Sequence, residues 1–193
     1  MSVLVVIGSS LGGLHALERV LGGLPEDFPA PLLVVQHRAP EGPALLAGLL
    51  QRHCPLEVCE AEDKAPLRAG RVLVAPAGYH VLVEPGHVAL SLEAEVAMSR
   101  PSIDVAFETA ARAYGARAIA IVLTGANEDG ARGLAEVCRL GGTAIVQDPA
   151  TARGPAMPAA AIDAVNPRLV LGLDEIASRL IGLAAERVAG APR

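Results

Sequence analysis

A buried segment, a glycine-rich turn and a helix open the chain and strongly constrain its fold. Residues 3–7 are apolar and mostly β-branched, which predicts a buried strand. The turn 8–13 follows at once, and apolar residues then recur at helical spacing, predicting a helix over 14–23. A strand, a turn and a helix in this order place the turn at the carboxyl edge of a sheet, where α/β proteins hold their sites.

The rest of the chain repeats this alternation, which predicts an α/β fold with a doubly wound, largely parallel sheet and helices on both faces. Short apolar runs with turn signals in the middle of the chain predict an antiparallel β-hairpin addition. We expect one domain over 1–189 and a tail over 190–193. The predicted strands are 32–35, 57–59, 71–75, 80–84, 87–91, 118–123, 143–147 and 168–171; the predicted helices are 41–52, 101–114, one ending near 140, a short one beginning at Pro158 after a loop at 151–157, and one capped by Asp174.

Composition excludes several classes of function. The formal net charge of −5 gives no basic footprint, so we expect no nucleic-acid partner. Apolar runs are strand-sized, so the protein is not expected to insert into a membrane. The three cysteines have no metal-ligand spacing and suit a reducing compartment. Because the first strand begins at residue 3, we expect no signal peptide and a cytoplasmic protein.

Three predicted parallel strands end in polar turns that carry Ser10, His37 and Asp129. Ser10 lies within Gly8-x-Ser10-x-Gly12, the spacing of a nucleophile elbow. A serine hydroxyl needs a base, imidazole can take and return its proton, and a carboxylate holds the imidazole tautomer. The sequence therefore predicts acyl transfer, although the order Ser, His, Asp differs from that of α/β-hydrolases.

Each of these residues has an alternative interpretation. Ser9 or Ser10 could cap the first helix, or the turn could hold a phosphate. His37 could be a surface loop histidine, and Asp129 could simply form a turn that caps the next helix. Asp148, which follows another strand, is the reserve candidate for the acid.

Seven motifs in one order give the chain a wider resemblance. Together they resemble the CheB family, the protein-glutamate methylesterases of bacterial chemotaxis, over nearly the whole chain. The motifs are Val-Ile-Gly8-Ser-Ser10-Leu-Gly-Gly13, Val-Gln36-His37-Arg-Ala-Pro40, Ala61-Glu-Asp63, Val74-Ala-Pro76-Ala-Gly78-Tyr-His80, Arg100-Pro-Ser102-Ile-Asp104-Val-Ala-Phe107, Leu123-Thr-Gly125-Ala-Asn-Glu-Asp129-Gly130 and Ala156-Met-Pro158.

The resemblance implies Ser10 as nucleophile, His37 as base and Asp129 as acid. It implies hydrolysis of glutamate γ-methyl esters, and in some members deamidation of glutamines, on the cytoplasmic helices of methyl-accepting chemoreceptors. No metal or organic cofactor is implied. Leu11, Ala126 and Met157 are the further expected oxyanion or active-site lining positions. Many members have Thr at the position of Leu11 and Met at that of Ala126, where the backbone N–H is the candidate oxyanion donor.

The resemblance begins at residue 1, whereas typical members carry an N-terminal receiver domain. Regulation, if present, is therefore expected from a separate receiver-domain or kinase protein. Two other functions remain open at this point. One is an esterase or deamidase that acts on a different protein of a signalling pathway. The other is a non-catalytic phosphate-binding module, although the turn lacks Gly-x-Gly-x-x-Gly and no P-loop lysine follows it.

Overall fold

The computed structural model describes residues 3–38 and 45–189. Within these ranges the strands are β1 (Leu4–Ser9), β2 (Leu32–Gln36), β3 (Glu57–Glu60), β4 (Arg71–Val74), β5 (His80–Glu84), β6 (His87–Ser91), β7 (Ala118–Val122), β8 (Thr143–Gln147) and β9 (Leu169–Leu171). The helices are α1 (Gly13–Gly22), α2 (Leu46–Gln51), α3 (Ile103–Tyr114), α4 (Ala131–Arg139), α5 (Ala156–Val165) and α6 (Leu173–Ala189). Positions 41–44 of the predicted helix 41–52, and the predicted tail 190–193, lie outside the described residues.

Seven strands form one sheet in the order β3-β4-β2-β1-β7-β8-β9. All six neighbouring pairs are parallel. β5 and β6 pair antiparallel as a separate two-stranded sheet. The structure confirms the predicted fold class.

Alternation along the buried strands supplies a core to each face of the sheet. In β1, Val5 and Ile7 join the core beneath α1, α2 and α6. Leu4 and Val6 face the opposite core, which α3, α4, α5 and the β5–β6 hairpin cover. The two periodicities, two in the strand and about 3.6 in the helices, thus produce a sheet that is buried on both faces.

The middle of the chain contains the predicted hairpin and two further strands of the main sheet. The sequence predicted the strands 57–59 and 71–75 without assigning their partners, and the structure shows that β3 and β4 extend the main sheet in parallel beside β2. The hairpin alone is antiparallel, and it packs on α3, where Val83 N donates to Thr109 Oγ1 at 3.0 Å. Short apolar runs specify strands but not their partners, so the sequence alone could not assign these two strands to the main sheet.

The predicted loop at 151–157 is also shorter than expected. Residues 149–151 form a turn of 3₁₀ helix, and α5 begins at Ala156 rather than at Pro158. Proline is tolerated at this position because N–H groups in a first helical turn have no partner within the helix. Pro158 therefore lies inside the helix that we expected it to start.

Candidate active site

The site lies where the chain reverses direction across the sheet. β1 is flanked by β2, which follows it through α1, and by β7, which comes much later in the chain. Such a switch point leaves a crevice at the carboxyl ends of the strands. Ser10 follows β1, His37 follows β2, and the turn with Asp129 follows β7. The structure thus brings the three predicted residues to one edge of the sheet.

His37 and Asp129 are in direct contact. The distance from His37 Nε2 to Asp129 Oδ2 is 2.7 Å, and the two side chains are 12% and 0% exposed. Since an ionised carboxylate only accepts hydrogen bonds, Nε2 donates in this pair, and the tautomer is assigned on that basis. Nδ1 is then the nitrogen that can receive a proton.

Asp129 is also held by the start of α3. Its carboxylate accepts hydrogen bonds from Ile103 N at 2.7 Å, Asp104 N at 3.0 Å and Ser102 Oγ at 2.9 Å. Burial by itself raises the pKa of Asp129, but the hydrogen bonds from His37, Asp104 and Ile103 outweigh it and hold that pKa below its usual range. Asp129 is therefore an anion fixed in orientation behind the imidazole.

Asp104, on α3, in turn accepts hydrogen bonds from the start of α4. Its Oδ1 accepts from Gly130 N at 3.0 Å and from Gly133 N at 2.7 Å. Burial raises the pKa of Asp104, and the charge of Asp129 adds to this effect, while the Gly133 N–H opposes it. The Asp129 carboxylate thus caps the start of α3, and the Asp104 carboxylate caps the start of α4. These reciprocal contacts hold Asp129 between the two helices.

Gln36 fixes the turn that carries Ser10. Its Oε1 accepts from Ser9 Oγ at 2.7 Å, and its Nε2 donates to the carbonyls of Ser10 and His37, both at 2.8 Å. Gly13 allows this contact, because a Cβ there would lie 1.9 Å from Gln36 Oε1. The proposed capping by Ser9 or Ser10 is wrong: the residue that caps α1 is Gly12, with no side-chain hydrogen bond.

Ser10 and His37 line the same cavity, of about 620 Å³. Its other walls include the apolar side chains of Leu14, Leu46 and Leu49. No hydrogen bond joins Ser10 Oγ to the His37 ring within the part of the chain that the structure describes. Serine–histidine contacts in enzymes often tighten only around bound substrate, so the absence of this hydrogen bond is compatible with base catalysis.

Among residues 3–38 and 45–189, the backbone N–H groups of Leu11 and Ala126, the predicted oxyanion positions, have no protein acceptor, and neither residue lines the cavity that Ser10 and His37 share. Thr124 joins the turns that carry them, since its Oγ1 donates to the Leu11 carbonyl at 2.8 Å and accepts from Gly154 N at 2.7 Å. A backbone N–H group without a protein acceptor is free to donate to a negatively charged oxygen.

Met157 lies beneath the turn that carries Ala126. Its side chain is buried, and a Cβ on Gly125 would lie 2.5 Å from Met157 Cε. Met157 N also donates to the Gly125 carbonyl at 3.1 Å. Met157 therefore supports this turn and is not among the residues that line the cavity described above. Asp148, the reserve acid, caps the 3₁₀ turn through Ala150 N at 2.9 Å.

The chain matches known proteins over most of its length. A family model described as CheB methylesterase matches residues 5–180. The chain belongs to the CheB methylesterase family. It is similar to the crystal structure of the Thermotoga maritima CheB methylesterase catalytic domain, with a TM-score of 0.90, 36% identity, and coverage of 95% of this chain and 99% of that one.

Curated relatives of two lengths match the chain. A Leptospira interrogans protein is 42% identical over 180 residues, and 93% of each chain is covered. A protein-glutamate methylesterase/protein-glutamine glutaminase of Anaeromyxobacter dehalogenans is 48% identical over 172 residues, which are 89% of this chain and 50% of that protein. This chain therefore spans almost the whole of the first relative and half of the second.

Several residues that organise this CheB-family site were missed from the sequence. Gln36 and Gln147 end the buried strands β2 and β8, and Thr124 follows the apolar run of β7. Gln147 Oε1 accepts from Thr124 N at 2.9 Å. Polar residues that close apolar runs at the carboxyl edge were the signal that could have found them. Ser102 and Asp104 lie in a helix-start pattern that gave no hint of a contact with Asp129.

No helix in the described ranges is long and apolar enough to cross a membrane. In the same residues, no group of three or more His, Cys, Asp or Glu side chains is arranged to bind a metal ion.

Proposed function

We propose that this chain is a protein-glutamate methylesterase, with Ser10 as nucleophile, His37 as base and Asp129 as the acid that orients it. The observation that carries the proposal is the His37 Nε2–Asp129 Oδ2 contact of 2.7 Å, at the cavity that Ser10 also lines. Membership of the CheB methylesterase family supports the same reaction. The names of relatives support glutamine deamidation as a second activity.

In the first half-reaction, Ser10 Oγ attacks the carbonyl carbon of a glutamate γ-methyl ester. His37 Nδ1 takes the hydroxyl proton, and Asp129 stabilises the imidazolium that forms. The carbonyl oxygen becomes an oxyanion, to which Leu11 N–H and Ala126 N–H donate. When the tetrahedral intermediate collapses, the methoxy group takes the proton from His37 and leaves as methanol. A glutamyl ester of Ser10 remains.

In the second half-reaction, water replaces the serine. His37 takes a proton from water, the resulting hydroxide attacks the acyl carbon, and Ser10 leaves with the proton returned by His37. The product is a glutamate side chain, and its negative charge favours departure from a site that contains Asp129. A glutamine substrate follows the same path with ammonia in place of methanol, so one site serves both activities.

The proposed partner is the helical cytoplasmic region of a methyl-accepting chemoreceptor, and we accordingly propose a cytoplasmic site of action. A single catalytic domain over 1–189 agrees with the family match over 5–180. Regulation by a separate receiver-domain or kinase protein remains part of the proposal. A substrate on another signalling protein is the alternative, and release of neither methanol nor ammonia from a methylated receptor fragment by wild type would favour it.

The test measures methanol and ammonia released from a methylated receptor fragment by wild type, Ser10→Ala and Ser178→Ala. Ser178 is an exposed serine on α6 and serves as the matched control. We expect Ser10→Ala to lose roughly 10³-fold or more of the methanol release and Ser178→Ala to match wild type. Equal release by wild type and Ser10→Ala would refute the serine nucleophile. Ammonia without methanol would replace the methylesterase assignment with a deamidase.

A further inference from the structure

A buried histidine outside the proposed triad contacts the helix that holds Asp129. His80, the first residue of β5, is 2% exposed. Its Nε2 lies 3.0 Å from the Ala94 carbonyl, and its Nδ1 lies 3.2 Å from Ser102 N. A carbonyl only accepts and a backbone N–H only donates, so these partners assign the tautomer: Nε2–H donates and Nδ1 accepts.

Ser102 carries this contact to the acid. Its hydroxyl donates to Asp129 Oδ1 at 2.9 Å and accepts from Val105 N at 3.5 Å as the cap of α3. A hydroxyl has one proton, and the carboxylate of Asp129 can only accept it, so the orientation of Ser102 is fully specified. A continuous hydrogen-bonded path therefore runs from His80 through Ser102 and Asp129 to His37.

We propose that His80 is a positioning residue for the esterase, which acts through Ser102 to hold the Asp129 carboxylate towards His37; this inference rests on the proposed function. Asp129 must accept the His37 Nε2–H hydrogen bond in good geometry, because this bond keeps the ring proton on Nε2 and leaves Nδ1 available as the base. Small angular errors in such a contact lower the rate of reaction without preventing substrate binding. If Nδ1 of His80 is removed, Ser102 N–H loses its buried acceptor and the start of α3 can rotate.

Two substitutions of His80 separate its two hydrogen bonds. In His80→Asn the side-chain oxygen can occupy the place of Nδ1, so the acceptor for Ser102 N–H is kept and the donor to Ala94 is lost. In His80→Gln the longer amide reaches the place of Nε2, so the donor is kept and the acceptor is lost. Thr109→Val is the matched control, because Thr109 Oγ1 also joins the hairpin to α3 but has no contact with Asp129.

The experiment measures kcat and KM for methanol release by wild type and the three variants, together with their thermal unfolding. We expect His80→Gln to lower kcat about tenfold with KM unchanged. His80→Asn and Thr109→Val should stay within about twofold of wild type. Equal losses in both His80 variants, wild-type kcat in His80→Gln, or the same loss in Thr109→Val would overturn the proposal.

A second measurement does not depend on the substrate. The proton shared by His37 Nε2 and Asp129 should give a downfield NMR resonance, assigned by its absence in His37→Gln. We expect the resonance to keep its position in His80→Asn and to shift or broaden in His80→Gln. An unchanged resonance in His80→Gln refutes the positioning role. Absence of methanol release by wild type would refute the proposed function alone, because the resonance still decides the role of His80.

Discussion

Substituting Asp104 with alanine or with asparagine tests how the start of α4 is held beside the site. The N–H groups of Gly130 and Gly133 both reach the same oxygen of Asp104, Oδ1, at 3.0 and 2.7 Å. The other oxygen faces Arg132 Nε at 3.6 Å, and the Arg132 side chain is 65% exposed. Asparagine retains an acceptor at Oδ1, whereas alanine removes it. The two variants therefore separate hydrogen-bond acceptance from charge.

The expected loss of stability depends on which buried donors each variant leaves without an acceptor. A buried donor without a partner costs about 1–3 kcal/mol, so two such donors should lower the free energy of unfolding by about 2–6 kcal/mol in Asp104→Ala. Little room exists for repair, since a Cβ on Gly133 would lie 2.7 Å from the Asp104 carbonyl oxygen. Asp104→Asn should stay within about 1 kcal/mol of wild type, because the largely exposed Arg132 at 3.6 Å forms only a weak ion pair with Asp104. In Asp104→Asn, the cost of burying a charged carboxylate, which raises the pKa of Asp104 in the wild type, no longer opposes folding.

The assay is urea unfolding at pH 7 followed by far-ultraviolet circular dichroism, because the chain contains no tryptophan. The free energy at zero denaturant and the slope against urea are compared for the three proteins. An Asn variant as unstable as the Ala variant would show that charge rather than acceptance stabilises the helix start. A loss below about 0.5 kcal/mol in Asp104→Ala would show that these N–H groups find other partners.

Three further predictions concern the same site. Gly13→Ala should displace Gln36, whose Oε1 would lie 1.9 Å from the new Cβ, and should lower kcat for methanol release more than Gly182→Ala, where no atom lies within 4 Å. Asp129→Asn should lower kcat roughly 10⁴-fold, as loss of a triad carboxylate does, in a protein that circular dichroism shows to be folded. The pKa of Asp129 is lower in the folded protein than the unfolded pKa of about 3.9. Its contribution to stability is therefore full above the unfolded pKa and is lost as the pH falls through the folded pKa. Unfolding free energies measured from pH 6 to pH 2 should accordingly fall less steeply in Asp129→Asn than in wild type.

The central sheet could be predicted from the sequence because its strands are short apolar runs that end in turns. Residues 3–7 and 118–123 contain no charged side chain, and the helices between strands show a clear apolar stripe. Parallel strands then require the turns with Ser10, His37 and Asp129 to share an edge. The fold class and this placement thus needed no knowledge of side-chain contacts.

The partners of these residues could not be predicted in the same way. Asp129 accepts from Ser102, which is 27 residues away, and Ser9 donates to Gln36 across the same separation. Neither contact follows from local periodicity, because each depends on how closely two elements approach after packing. β3 and β4 show the same limit, since their sequences specify strands while their neighbours are chosen by the rest of the sheet.

In the proposed mechanism, one carboxylate serves both the folding of this site and its chemistry. Asp129 caps α3 through Ile103 N and Asp104 N, and with the same Oδ2 that accepts from Ile103 it also accepts from His37 Nε2. The N–H groups that stabilise its charge are present before any substrate arrives, so no reorganisation is needed when the imidazolium forms. Because the helix start holds the anion in place, a substitution that loosens α3 should reduce the rate of reaction before it unfolds the protein.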